Sequence, residues 1–119
     1  MGTTFELRPI KTSTPLANVC KVLHLPPKQG TVTGFTLDSR AVRSGDLYAA
    51  LPGEHTHGAN FAAQAIAAGA AAIVTDMAGA QIIGDVAVPV LVVPVPREAL
   101  GAVANCVYSG PRPRLVGVT

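Results

Sequence analysis

The sequence predicts an α/β domain: a three-layer, open and largely parallel sheet flanked by helices. Short, wholly apolar runs predict the sheet. LYAAL at 47–51, AAAIVTD at 70–76 and VPVLVVP at 88–94 read as strands covered on both faces. Stretches with helical spacing alternate with these runs, which is the order of a parallel sheet with crossover helices. The composition agrees. Hydrophobic residues make up 49% of the chain but aromatic residues only 4%, so the core is built from Ala, Val, Leu and Ile, whose small side chains let helix and sheet approach closely.

Taken in order, residues 1–12 show no clear period and read as an extended lead-in. Thr14-Pro15 offers a hydroxyl at an N-cap and a proline at the first helical position, where its missing N–H costs nothing. Leu16, Val19, Cys20 and Leu23 then form one apolar stripe that Pro26-Pro27 ends. Gln29-Gly30 turns the chain into TVTGFTL, a strand with Thr33, Phe35 and Leu37 on one face. After the run at 47–51 and Pro52-Gly53, Asn60 caps a helix through FAAQAIAAG, with Ala62 and Ile66 on one face and Gly69 as a left-handed stop. MAGAQIIGDVA, at 77–87, reads as a loose segment between two buried strands. A helix over 96–108 has Pro96 and Glu98 in its first turn and Gly110 past its end, and LVGVT at 115–119 begins a last strand.

A chain of 119 residues fits a single domain, 1–119, without internal repeat or boundary. Net charge is +2, charged residues are 13%, and no basic run interleaves with aromatics, so nucleic acid is not an expected partner. The apolar runs are too short for a membrane span and the first residues lack a signal-peptide core, so no membrane partner and a cytoplasmic location are expected. Cys20 and Cys106 stand far apart, outside any CxxC, and read as two reduced thiols on apolar helix faces.

The polar chemistry is gathered in one stretch, TLDSRAVRSGDLYAALPGEHTHG, at 36–58. Ser39 follows a strand directly, and in open α/β sheets ligands sit beyond the carboxyl ends of the strands. Asp38 and Arg40 flank it and read as shaping the loop by pairing or by capping backbone. GEHTHG precedes a predicted helix start, where His55, Thr56 and backbone amides present donors to a phosphate or diphosphate. His55 and His57 with Glu54 are also an H-x-H metal pattern, but only one other histidine exists and no third ligand is suggested, so no metal is expected. Neither GxGxxG, nor GxxxxGK[ST], nor GxSxG occurs. The residues themselves therefore describe an anion or nucleotide pocket without catalytic residues.

The combination of DSR, SGDLYAALPG, HG and an Ala-rich helix ending in GAAAIVTD resembles the amino-terminal, UDP-binding domain of the Mur ligases, most closely the E type. The resemblance runs from about Phe35 to the last residue. It implies that this chain holds the UDP end of UDP-N-acetylmuramoyl-L-alanyl-D-glutamate. The parent enzyme would be an ATP- and magnesium-dependent ligase adding the third peptide residue during peptidoglycan synthesis, with meso-diaminopimelate as the default and lysine as the alternative. By position, Leu37 and Ser39 match the uracil- and ribose-side contacts, and Glu54, His55 and Thr56 match the loop that meets the nucleotide. LVGVT resembles the strand leading into the family's GTNGKT loop. The resemblance thus implies a fragment that ends before the ATP-binding domain, binds no ATP or magnesium itself, is catalytically silent, and has the enzyme's remaining domains as partners. The F-type ligase, which adds D-alanyl-D-alanine, has a similar pattern. A stand-alone nucleotide-sensing module and a purely structural interaction domain are the readings from other classes.

Overall fold

In the computed structural model of the protein, residues 13–109 are described. The chain opens with a two-residue strand, β1 (Thr14–Pro15), and runs at once into α1 (Leu16–Val22). Thr14 does not cap this helix. Its hydroxyl donates instead to the Val107 carbonyl at 3.3 Å, and Pro15 holds the N-cap position. α1 stops before the prolines. His24 takes φ +60°, and the Leu25 amide reaches back to the Cys20 carbonyl at 2.8 Å, a left-handed closure that satisfies the helix end.

The stretch expected as one strand divides in two. β2 (Thr31–Val32) pairs antiparallel with β1, and β3 (Gly34–Thr36) joins the main sheet. Thr33 separates them, and Leu37 lies beyond the strand, 46% exposed. β4 (Asp46–Ala49), β5 (Ala72–Thr75) and β6 (Val90–Val92) complete a four-stranded sheet, all parallel, in the order β3-β4-β5-β6.

α2 (Ala62–Ala67) links β4 to β5, and α3 (Met77–Ile83) links β5 to β6. α3 occupies the segment read from sequence as loose. Its glycines hide the helical period, but the Asp76 carboxylate accepts from the Gly79 amide at 2.8 Å and starts the helix, while Gly84 at φ +68° ends it. α4 (Pro96–Ser109) closes the described chain. The expected strand at 115–119 lies outside the described residues.

The strands alternate their side chains between two cores. Leu47, Ala49, Ala72, Val74 and Leu91 face α1 and α4, joining Leu16, Val19, Val103 and Val107. Tyr48, Ala50 and Ile73 face the other way, against Ala62, Ala65 and Ile66 of α2 and Ile83 of α3. Both crossovers advance in the same direction across the sheet, so a single crossover hand puts α2 and α3 on one face. The result is the expected three-layer α/β arrangement. Fully burying side chains such as Leu47, Ile73 and Leu91 stabilises the sheet by roughly 1.5–3 kcal/mol each. Alanines at the α2 face let helix and sheet come close.

Candidate functional site

The site begins where β3 ends. Thr36 Oγ1 accepts from the Asp38 amide at 3.1 Å. The Asp38 carboxylate accepts from the Arg40 amide at 2.9 Å and the Asp38 carbonyl from the Ala41 amide at 2.9 Å, closing a 3-10 turn over Ser39–Ala41. That turn directs Ser39 inward, 8% exposed, with its hydroxyl 3.5 Å from Gln64 Oε1 of α2. The Asp38 and Arg40 side chains stay at the rim in a loose 3.4 Å pair. The Arg40 amide holds the Asp38 carboxyl below its ordinary value.

The opposite wall comes from the loop after β4. Pro52 and His57 form an isolated antiparallel bridge, the Gly53 amide bonds the Thr56 carbonyl at 3.0 Å, and the Gly58 amide bonds the Leu51 carbonyl at 2.7 Å. Gly58 is required there. A Cβ would lie 2.9 Å from the Leu51 nitrogen and 3.1 Å from Ala50 Cα. Tyr48 stands between the two walls, and its hydroxyl donates to the Gly58 carbonyl at 2.9 Å. Burial pushes the Tyr48 phenol above its ordinary value, so Tyr48 remains a neutral donor.

Between these walls lies a cavity of about 390 Å³ at the carboxyl ends of β3 and β4. Of the residues singled out from sequence, Leu37, Ser39 and Thr56 line it, with Asp38 and Arg40 at its edge. Glu54 and His55 are not among its lining. Their side chains are 92% and 93% exposed and approach each other at 3.8 Å. Sequence reasoning missed Tyr48, Leu51, Gly58, Phe61 and Gln64, which complete the lining. Tyr48 lay hidden in an apolar run, and Phe61 and Gln64 in a segment read as packing helix.

The helix-start reading is corrected. Asn60 does not cap α2; its side chain donates to Thr56 Oγ1 at 2.9 Å and to the His57 carbonyl at 3.1 Å. The amides of Gly58, Ala59 and Asn60 are engaged by the Leu51 carbonyl, the His57 ring and the His57 carbonyl. Polar side chains and the rim guanidinium, rather than these amides, are left to face the cavity.

His57 points away from the cavity. Its Nδ1 accepts from the Ala59 amide at 2.9 Å, and its Nε2 lies 2.9 Å from Asp76 Oδ1. Burial opposes ionisation of Asp76, but the Gly79 amide and the His57 ring outweigh it and hold the carboxyl below its ordinary value. Among the described residues no group of three or more His, Cys, Asp or Glu converges as a metal site, and no helix is long and apolar enough to cross a membrane.

The chain is similar to known proteins along most of its length. It is 47% identical over 117 residues to a UDP-N-acetylmuramoyl-L-alanyl-D-glutamate--2,6-diaminopimelate ligase of Streptomyces coelicolor, covering 94% of this chain and 23% of that protein. It is 42% identical over 106 residues to a UDP-N-acetylmuramyl-tripeptide synthetase of Roseiflexus sp., covering 87% and 20%. The chain thus spans about a fifth of the length of these relatives. Among solved structures, a crystal structure of MurF from Acinetobacter baumannii superposes with a TM-score of 0.64 at 26% identity, over 78% of this chain and 20% of that one. The sequence pattern described as "Mur ligase family, catalytic domain" matches residues 31–108, from β2 nearly to the end of α4 and including the whole cavity. By that match, the chain belongs to the Mur ligase family.

Proposed function

We propose that this chain holds the UDP end of UDP-N-acetylmuramoyl-L-alanyl-D-glutamate in an ATP-dependent E-type ligase that attaches 2,6-diaminopimelate during peptidoglycan synthesis. One observation carries the reading: the DSR turn and the HTHG loop converge on one cavity at the strand ends. Leu37, Leu51 and Phe61 supply apolar surface for a flat base. Ser39, Thr56 and Gln64 supply hydroxyl and amide groups for a ribose. The exposed Arg40 guanidinium offers a cation toward a diphosphate at the mouth. Glu54 and His55 are left without a direct part.

The likeness to the Streptomyces coelicolor ligase, named for 2,6-diaminopimelate, supports that residue over lysine as the one added. The likeness to MurF supports the F-type ligase as the second reading, in which the same cavity would hold the UDP end of that enzyme's substrate. In either case ATP and magnesium, the peptide portion of the substrate and bond formation belong to the remaining domains of the parent enzyme.

The test is a titration of the chain with UDP, read by amide NMR shifts, with ATP as control. Shifts confined to Leu37–Arg40, Thr56–Gly58, Phe61 and Gln64 are expected with UDP alone. Shifts elsewhere, or equal shifts with ATP, would overturn the assignment of the cavity.

A further inference from the structure

His57 is the only residue of the GEHTHG loop whose side chain ties that loop to another part of the sheet among the described contacts. Its ring is 11% exposed and the Asp76 carboxylate 19% exposed, so the pair is largely shielded from water. Both ring nitrogens are in use. Nδ1 accepts the Ala59 N–H and therefore carries no proton, so Nε2 bears the hydrogen and donates it to Asp76 Oδ1. The same Asp76 oxygen accepts the Gly79 amide at the start of α3. A continuous chain of hydrogen bonds thus runs from the first turn of α3, through Asp76 and His57, to Ala59 beyond the loop. Gly79 leaves the room it needs: a Cβ there would meet Thr75 Oγ1 and come within 2.7 Å of the His57 ring.

The backbone on either side of His57 is the wall of the cavity. Thr56 precedes it and Gly58 follows it, and both line the space that Ser39 and Tyr48 face. The ring is buried on the side away from the cavity, so moving it moves Thr56 and Gly58 together. The Gly58 carbonyl would move with them, and with it the acceptor of the Tyr48 hydroxyl.

We propose that His57, fixed as the Nε2–H tautomer by Asp76, is a positioning residue that sets the Thr56–Gly58 wall of the cavity and thereby its affinity for the nucleotide end of the substrate. This assignment rests on the nucleotide reading of the cavity for its effect on affinity, but its effect on the wall is independent of any ligand.

The experiment uses the 119-residue chain and three variants. Asp76→Asn keeps a side-chain oxygen for both the Gly79 amide and the His57 Nε2–H. Asp76→Ala removes it. His57→Asn keeps an acceptor for the Ala59 amide but is too short to reach Asp76. Without ligand, long-range ¹H–¹⁵N spectra of wild type should show His57 protonated at Nε2 and bare at Nδ1. The Thr56 and Gly58 amide resonances should shift in Asp76→Ala and His57→Asn, and stay near wild type in Asp76→Asn. With UDP as the probe, affinity should fall by about five- to ten-fold in Asp76→Ala and recover in Asp76→Asn. A purely structural role would lower the unfolding midpoint of Asp76→Ala while leaving the Thr56 and Gly58 resonances in place, and that result overturns the proposal. So does an Nδ1–H tautomer. If Asp76→Ala fails to fold, His57→Asn decides the same point. If wild type binds no UDP, the nucleotide reading of the cavity falls, and the ligand-free shifts still decide whether His57 positions the wall.

Discussion

The Tyr108 hydroxyl accepts a hydrogen bond from the Phe35 amide at 2.8 Å and donates one to the Phe35 carbonyl at 3.0 Å. In a parallel strand, one residue's N–H and C=O point to the same side. Phe35 is the middle residue of β3, the sheet-edge strand, and its two backbone groups point outward, away from β4. A single phenol on α4 therefore closes the hydrogen bonding of the edge and fastens the last described helix to the first strand of the main sheet. Gly34 takes part in the fit, since a Cβ there would meet the Asp46 carboxylate and come within 3.6 Å of the same hydroxyl.

Tyr108→Phe keeps the ring and removes both bonds. Water can reach the freed groups, because Tyr108 is 59% exposed, so the cost is that of a solvated hydrogen bond rather than of a buried orphan. The expected loss is about 1 kcal/mol in urea unfolding, together with faster hydrogen exchange at the Phe35 amide. Unchanged exchange at Phe35 would show that the hydroxyl does not protect the edge.

Two helical glycines should respond to alanine with opposite signs. Gly101 lies on the exposed side of α4, where a Cβ meets nothing within 4 Å, so Gly101→Ala should stabilise by about 0.5–1 kcal/mol through helix propensity. At Gly79 the same propensity gain is opposed by collision with Thr75 Oγ1 and the His57 ring. Thr75 is fully buried and donates to the Ala50 carbonyl at 2.9 Å, so it has little freedom to yield. Gly79→Ala should destabilise by roughly 1–3 kcal/mol, the range of overpacking. Urea midpoints of the two variants moving in the same direction would contradict the packing around His57.

The sheet was legible because its strands are buried on both faces, so LYAAL, AAAIV and VPVLVV announce themselves by apolarity alone. α3 was not, because Gly79 and Gly84 remove the apolar period that marks a helix, and its start depends on Asp76, a capping residue at the end of a strand. Thr14 was misread for a tertiary reason: its hydroxyl is claimed by Val107, 93 residues away, a contact that no local pattern encodes. In the site, Ser39 was legible as a polar residue at a strand end and Thr56 as a donor in the loop before a predicted helix start. Tyr48 and Gln64 were not, because each belongs to an element whose neighbours argue for packing. The place of His57 depends on Asp76, 19 residues later, and becomes visible only once β4 and β5 lie side by side.

Acid should probe Asp76 directly. Its folded carboxyl titrates below the unfolded value of about 3.9, so its contribution to stability is present above that pH and is lost as pH falls through the folded value. Asp76→Asn retains an acceptor but cannot titrate, and the variant should lose less stability than wild type between about pH 5 and pH 3. Asp38 shifts in the same direction, but its exposed carboxylate is screened by solvent and should contribute little to this slope. Parallel urea midpoints for wild type and Asp76→Asn across this range would remove Asp76 from the acid limb.

The exposure of the loop tip separates residues that belong to the cavity from residues that merely neighbour it in sequence. Ser39 is held inward by the Asp38-capped turn and presents its hydroxyl beside Tyr48 and Gln64. A ligand that replaces water there gains a hydrogen bond in a partly desolvated setting. On the proposed nucleotide reading of the cavity, Ser39→Ala should therefore weaken UDP binding by about five- to ten-fold. Glu54 and His55 stand in solvent at the tip, and the tip is closed behind them by the Gly53–Thr56 backbone bond, so removing their side chains does not reshape the wall. Glu54→Ala and His55→Ala should each leave UDP affinity within about two-fold of wild type, the effect expected of side chains that stand in solvent away from the cavity. Calorimetric titration of the three variants checks this. A larger loss for either tip variant than for Ser39→Ala would mean that the tip folds over the nucleotide when it binds.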